Sequence, residues 1–471
     1  MVHALPSMDA SHYDLVVLGA GPAGEKGAAQ AAYFGKRVLV VEREREPGGA
    51  AVHTGTLPSK TLRETALYLS GYHARALYGV AVELDPSATL QHLMSRKAAI
   101  AAAESRAFRD NFAAHAIDYR EGNARFVDAH TIAITSSAGE QRVTGDYVLI
   151  ATGSKPFRPA DIDFTSNCIH DSDEVLTIDC IPNSLTILGG GVIGCEYACM
   201  FAALKAEVTL VDAREEILPF LDTEIVKRLK AAMQAAKIRF VQGQRWKGVH
   251  ALEDGVHTEL SDGTTLVSQQ LLFAAGRTGR TEELNLPAIG VAPDNRGYLQ
   301  VDAEFRTAQP HVLAAGDVIG FPALASVSME QGRVAVCHAF GFDYKRAVAA
   351  RMPYGIYTIP EVSSFGETEE SCREKKIDYV VGRSLSSNNP RGKITGDLDG
   401  ITKLVVDAAT RKLIGVHVIG ERASELVHIG QLAVTLGASI DVFIEMVFNY
   451  PTLSDSYKYA AYDCLGAFAK R

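Results

Sequence analysis

Two glycine-rich turns carry the clearest chemistry of this chain. Gly19-Ala20-Gly21-Pro22-Ala23-Gly24 follows the apolar run Tyr13 to Leu18, and Gly189-Gly190-Gly191-Val192-Ile193-Gly194 follows Leu185 to Leu188. In each set the first glycine permits a tight turn and the second lets a pyrophosphate approach the backbone. The third lets the following helix pack on its strand. The partial positive charge of that helix N-terminus then faces the phosphates. Each unit goes on to a second strand that ends in a carboxylate, Glu42 and Asp212, placed to accept hydrogen bonds from ribose hydroxyls. Gly19 precedes Glu42 by 23 positions, and Gly189 precedes Asp212 by 23. One such motif is a weak signal, but two in the same strand-turn-helix-strand context predict two dinucleotide-binding folds. Asp212 can bind both ribose hydroxyls of NAD and would repel the extra phosphate of NADP. Arg214, two positions on, either offsets that repulsion or is a surface charge.

The elements that position these turns follow from pattern and length. A chain of 471 residues is too long for one core and predicts several domains. Ser59 to about Ala114 is Ala-rich and helical in pattern. Alternating strands follow in Tyr119 to Val143, then a strand Tyr147 to Ile150 that runs into Ala151-Thr152-Gly153. Leu271 to Gly276 is a similar strand end, leading to Arg277-Thr278-Gly279-Arg280, and Pro310 to Ala315 is a strand leading to Gly316-Asp317. From about Tyr354 the texture becomes β-rich and then helical, the pattern of one α+β domain.

Composition excludes several classes. Net charge is −9 and no basic run suggests a nucleic-acid surface. Arg43 and Arg45 alternate with Glu42, Glu44 and Glu46, which predicts a neutralised, solvated stretch. No run of about 18 apolar residues predicts a membrane span, and Met1 to Tyr13 lacks the basic start and apolar core of a signal peptide. Seven scattered cysteines, odd in number, suit a reducing, cytoplasmic compartment. Cys195 and Cys199 lie four apart on a predicted helix, a spacing open to a metal or redox pair or to two small packing residues. Packing is the expectation.

Gly48-Gly49-Ala50-Ala51-Val52-His53-Thr54-Gly55-Thr56-Leu57-Pro58-Ser59-Lys60 resembles the redox-active helix of the flavin disulfide reductases, which include glutathione reductase. Their pattern there is GGTCLNVGCIPSK, and Ala51 and Thr56 stand where its two cysteines would be. Neither can form a disulfide or carry a thiolate. The resemblance implies FAD at the first glycine set, with Glu42 on its ribose and Asp317 at the ribitol, and a nicotinamide nucleotide at the second. It places Gly49, Thr56, Thr152, Gly153, Gly276, Arg277 and Gly316 in the cofactor-binding set as well. It also implies that Lys60 and Glu196 pair beside the flavin ring, where a cation stabilises the anion formed on hydride arrival. At the C-terminus, the family's HPTxxE reads Asn449-Tyr450-Pro451-Thr452-Leu453-Ser454-Asp455, so Tyr450 replaces the acid–base histidine. A phenol with an ordinary pKa of about 10 does not shuttle protons near neutral pH as imidazole does.

His53-Thr54-Gly55-Thr56-Leu57-Pro58-Ser59-Lys60, taken with Phe448-Asn449-Tyr450-Pro451-Thr452, is similar to the soluble pyridine nucleotide transhydrogenases. Ala51 stands where that group keeps its first cysteine. The resemblance covers nearly the whole chain. It implies an α/β architecture, glutathione-reductase-like, of two Rossmann-like dinucleotide-binding domains plus a C-terminal α+β dimerisation domain. The implied bounds are 1–155 and 280–347 for FAD, 156–279 for NAD(P), and 348–471 for dimerisation. The implied activity is hydride transfer between NAD(H) and NADP(H) through one binding site, with no protein thiol. A homodimer, or a larger assembly, is the implied state, with Tyr450 walling the flavin in the partner subunit. Two rival readings stand beside it: an NADH-dependent quinone or dye reductase, and a flavoprotein kept as a binding module without turnover.

Overall fold

The computed structural model describes residues 11–71, 77–79, 82–83 and 85–471. The expectation for residues 1–10 therefore lies outside the described residues. The chain divides into two compact units, one formed by Met1–Ser59, Ser95–Phe157 and Gly276–Ala349, the other by Lys60–Met94, Arg158–Ala275 and Ala350–Arg471.

The first unit is built on one sheet, in the order Asp118–Glu121, Val38–Glu42, Ser11–Leu18, Gly139–Ile150, Thr131–Ser136, Asn123–Phe126. Val312–Ala314 also pairs with Gly139–Ile150. Its central strands run parallel and are buried on both faces, which explains their uninterrupted apolar runs. Side chains alternate between the two faces. Val16, Leu18, Leu39 and Val41 join one core cluster, and Leu15, Val17, Val38 and Val40 the other. On the second face the helices Pro22–Tyr33 and Ala325–Phe340 pack backbone to backbone. A Cβ on Gly332 would lie 2.1 Å from the Ala23 carbonyl oxygen.

Sequence reasoning separates a strand at Tyr147 to Ile150 from the strands before it, whereas the chain is extended from Gly139 to Ile150. The polar stretch Thr144-Gly145-Asp146 does not break the strand because it is registered against Ser11–Leu18 on either side, with Tyr13 opposite Gly145 and Leu15 opposite Tyr147. The ladder overrides local propensity here.

The second unit holds a five-stranded parallel sheet in the order Arg239–Gln242, Glu207–Asp212, Ser184–Leu188, Gln270–Phe273, Ile169–Asp171. A three-stranded antiparallel sheet covers Trp246–Leu252, Gly255–Leu260 and Thr265–Ser268. The C-terminal part forms an antiparallel sheet in the order Tyr354–Ile356, Glu361–Gly366, Leu413–Gly420, Ile401–Asp407, Tyr379–Leu385, packed against helices Ala423–Thr435 and Ser456–Phe468. Helix Val192–Ala203 is apolar except for Glu196 and mostly buried. Cys195 and Cys199 are packing residues on it, and burial pushes both thiols up, that of Cys199 to about 12. Such thiols are inert near neutral pH.

A buried ion cluster joins elements within this unit. Lys403 is 1% exposed, and its Nζ lies 2.8 Å from Asp222 Oδ1, 2.6 Å from Glu369 Oε1 and 3.1 Å from Glu224 Oε2. Burial alone would push the Asp222 carboxyl up, but the nearby His417 and the Lys403 ammonium outweigh it and hold it below its ordinary value. Its contribution is therefore complete above the ordinary carboxylate range and is lost as pH falls through the depressed value. Lys403→Met leaves Asp222 buried and uncompensated, so a loss of about 3–5 kcal/mol is expected. The measurement is the urea midpoint at constant slope, and a midpoint that does not move would show the cluster to be neutral to stability.

Candidate functional site

The first glycine turn sits where the geometry leaves room for nothing else. Gly19 has φ +105°, and a Cβ there would lie 2.5 Å from the Ala151 carbonyl oxygen. A Cβ on Gly24 would lie 1.9 Å from the Gly19 carbonyl oxygen. The Gly48 N–H donates to the Ala20 carbonyl at 2.9 Å. A Cβ on Gly49 would come within 3.0 Å of the Gly21 Cα, so two glycine segments meet backbone to backbone. Helix Pro22–Tyr33 begins at Gly21 with no side chain capping its first turn, which leaves first-turn amides for a phosphate to satisfy. Glu42 is 7% exposed and accepts from the Ala20 N–H at 2.7 Å and the Glu44 N–H at 3.0 Å. The expected solvated stretch is thus corrected at its first residue. Glu42 ends a strand that is buried throughout, while Arg43, Glu44 and Arg45 are exposed.

The same unit brings Gly316 and Asp317 to this turn. A Cβ on Gly316 would lie 3.0 Å from the Ala23 Cβ, and the Gly316 N–H donates to Gln331 Oε1 at 2.8 Å. Asp317 Oδ2 accepts from the Ser154 hydroxyl at 3.0 Å, which in turn accepts from Arg277 Nε at 2.8 Å. Thr152 donates to the Arg280 carbonyl at 2.7 Å, and the Gly153 carbonyl accepts from the Arg280 N–H at 3.0 Å. The Gly276 carbonyl accepts from the Phe157 N–H at 3.1 Å. Ser154, Gln331 and Ser328, which fasten the Asp317 loop, are residues that sequence reasoning does not single out. Ser154 had a signal, since it directly follows Ala151-Thr152-Gly153. These donors, the carboxylate at the strand end and the tight glycine contacts fit an extended dinucleotide.

The second turn repeats the construction in the second unit. Gly189 has φ +118°, a Cβ there would lie 2.6 Å from the Ala274 carbonyl oxygen, and one on Gly194 would lie 1.8 Å from the Gly189 carbonyl oxygen. Helix Val192–Ala203 also starts on a glycine, Gly191, without a side-chain cap, and a Cβ on Gly191 would meet open space. Asp212 accepts from the Gly190 N–H and is gripped by Arg214. The guanidinium donates from Nε to Oδ1 at 2.9 Å and from Nη2 to Oδ2 at 2.8 Å, and the Arg214 N–H adds a third bond at 2.7 Å. Burial pushes the Asp212 carboxyl up, but these bonds outweigh it and hold it below the ordinary carboxylate range. Asp212 is thus a buried carboxylate, and Arg214 a half-exposed cation paired with it.

Lys60 and Glu196, 136 positions apart, meet in the second unit with Nζ 2.6 Å from Oε2. Lys60 lies on helix Thr56–Leu69 and Glu196 on helix Val192–Ala203. Glu196 is 8% exposed, and its other oxygen accepts from the Tyr357 N–H at 2.9 Å. Ala51 lies on the short helix Gly49–His53 and Thr56 opens the next helix, so no sulfur occupies either position. Tyr450 is 71% exposed in the single chain. Among the described residues, no group of three or more His, Cys, Asp or Glu could hold a metal ion, and no helix is long and apolar enough to cross a membrane.

Comparisons with known proteins bear on both units. A family model described as pyridine nucleotide-disulphide oxidoreductase matches residues 13–332, and the dimerisation domain of the same family matches residues 352–461. The chain is 42% identical over 455 residues to a soluble pyridine nucleotide transhydrogenase of Mycobacterium bovis, covering 96% of this chain and 97% of that protein. It is 37% identical over 453 residues to a soluble pyridine nucleotide transhydrogenase of Colwellia psychrerythraea, covering 95% and 97%. The solved structure of the HOCl-induced flavoprotein disulfide reductase RclA from Escherichia coli superposes with a TM-score of 0.86 at 26% identity, covering 96% of this chain and 99% of that one.

Proposed function

The chain belongs to the pyridine nucleotide-disulphide oxidoreductase family, and from that premise we propose that it is a FAD-dependent transhydrogenase exchanging hydride between NAD(H) and NADP(H). The observation that carries this reading is the Lys60–Glu196 ion pair in a chain that has Ala51 and Thr56 in place of thiols. An electrostatic element for hydride chemistry is kept, while the relay onward to a disulfide substrate is gone.

Flavin, when bound, supplies a two-electron centre that exchanges hydride with a nicotinamide ring. The residues of the chain bind and orient. Gly19, Gly21, Gly24 and Gly49 give the pyrophosphate its approach, Glu42 accepts the ribose, and Asp317, fastened by Ser154, takes the ribitol. Gly189, Gly191, Gly194 and Asp212 do the same for the nicotinamide nucleotide, and Arg214 offers a cation to the extra phosphate of NADP. Lys60, neutralised by Glu196 in the ground state, presents positive charge where negative charge develops. We assign 1–155 and 280–347 to the FAD domain, 156–279 to the NAD(P) domain and 348–471 to the dimerisation domain. The exposure of the apolar side chains Leu432, Leu436 and Val447 and of Tyr450 supports a homodimer in which they are covered. Tyr450 then acts by shape and shielding.

The test is anaerobic mixing of the FAD-loaded protein with NADPH, followed by thio-NAD. Bleaching of the flavin by NADPH and its recovery with formation of reduced thio-NAD are expected. Asp212 favours a second reading, NADH-dependent reduction of a quinone or dye. Bleaching by NADH alone, with quinone but not thio-NAD as acceptor, would establish that reading and sink the first.

A further inference from the structure

We propose that Tyr357 is a positioning residue for hydride transfer, holding the Lys60 ammonium in place with the face of its ring. The inference rests on the reading of Lys60–Glu196 as the electrostatic element of the reaction. Lys60 Nζ lies 4.9 Å from the centroid of the Tyr357 ring and 2.6 Å from Glu196 Oε2, while the Tyr357 N–H donates to Glu196 Oε1 at 2.9 Å. One residue therefore addresses both members of the pair, the cation through its ring and the carboxylate through its amide. The π face supplies a second electronegative surface to the ammonium without adding a charge. A lysine carries a compact charge on a flexible four-carbon stem. Glu196 holds it by a hydrogen-bonded ion pair, and the ring face adds a further restraint on where the ammonium sits.

The segment that carries the ring is itself anchored. Ser424 Oγ donates to Glu361 Oε2 at 2.9 Å. Glu361 faces Arg63 Nη1 at 3.3 Å, and Arg63 donates to the Thr358 carbonyl from Nε at 3.2 Å and from Nη2 at 2.9 Å. Arg63 is buried and lies three residues after Lys60 on helix Thr56–Leu69. The segment from Tyr357 to Glu361 is thus fastened to the lysine's own helix at three points, Lys60 on Tyr357 and Arg63 on both Thr358 and Glu361. Such a closed circuit specifies one position for the ammonium.

The experiment compares Tyr357→Phe, which keeps the ring, with Tyr357→Leu, which removes it. Tyr357→Met serves as a second ring-less variant should the leucine protein fail to fold. Two quantities are read on the FAD-loaded chain: the rate of flavin bleaching by nicotinamide nucleotide, and the rate at which an amine-reactive label modifies Lys60, followed by peptide mass spectrometry. Loss of the ring is expected to slow bleaching about 5- to 30-fold and to speed Lys60 labelling, while Tyr357→Phe stays within about twofold of the parent in both. Equal labelling and bleaching in the parent and the ring-less variants would overturn the proposal, and so would a phenylalanine variant as impaired as the leucine one. The labelling readout is independent of the reaction, so a parent protein bleached by neither nucleotide sinks the hydride-transfer reading and leaves the positioning of Lys60 to be judged by its labelling.

Discussion

Lys60→Ala is expected to slow flavin bleaching by nicotinamide nucleotide about 10²–10³-fold, the range seen when one preorganised electrostatic donor is removed, while FAD stays bound. The size of the effect comes from both partners. Removing the ammonium deletes the positive charge 2.6 Å from Glu196 Oε2. It also strands Glu196, which is 8% exposed and still held by the Tyr357 N–H. An unpaired carboxylate is then left where the reaction accumulates negative charge, so the variant is worse than neutral. Removing both charges together, Lys60→Ala with Glu196→Gln, is expected to recover part of the loss, because the stranded anion is gone. Flavin retention is the internal control, since Gly19, Gly24, Glu42 and Asp317 belong to the other compact unit and keep their contacts. An alanine variant that bleaches at the parent rate with full FAD content would remove Lys60 from the mechanism.

The two nucleotide cradles were legible in the sequence because the demand on each glycine is local. Gly24 and Gly194 fail as any other residue for the same reason, a carbonyl oxygen of the same turn within 2 Å of the missing Cβ. The carboxylates at Glu42 and Asp212 were legible by their spacing from those turns. The Lys60–Glu196 contact spans 136 positions and no periodicity encodes it, so only the resemblance of two separate motifs pointed there. Lys403 left a faint signal, a single charge inside the apolar strand Ile401–Asp407. Its three carboxylate partners come from distant segments, so its role was not readable. The duty of Tyr357 depends on which way its ring turns, and that is a tertiary fact. The pairing of Arg214 with Asp212 was open in sequence between a cation for phosphate and a surface charge. The bidentate geometry joins them into one unit.

That unit sets the second large effect, on nucleotide choice. Arg214→Ala is expected to lower kcat/KM for NADPH about 10- to 100-fold, the worth of a charge-assisted hydrogen bond, and to change the value for NADH far less. In the structure the guanidinium donates to Asp212 from Nε and Nη2, two of its five N–H groups. A 2′-hydroxyl can share Asp212 with it, whereas a 2′-phosphate would meet both the guanidinium's remaining donors and the carboxylate at close range. Arg214 is half exposed, and its fork suits phosphate as well as carboxylate. Without it, Asp212 keeps the N–H groups of Gly190 and residue 214, and the guanidinium no longer offsets the carboxylate that faces the phosphate. Asp212→Asn should move preference the other way, raising NADPH relative to NADH, because repulsion falls and Arg214 is released. The two substitutions share one contact, so their effects should be non-additive when combined. The measurement is the ratio of flavin-bleaching rates with the two nucleotides in all four proteins. A ratio unchanged in both single variants would show that neither residue reads the ribose, and additive shifts would show that they do not act as a pair.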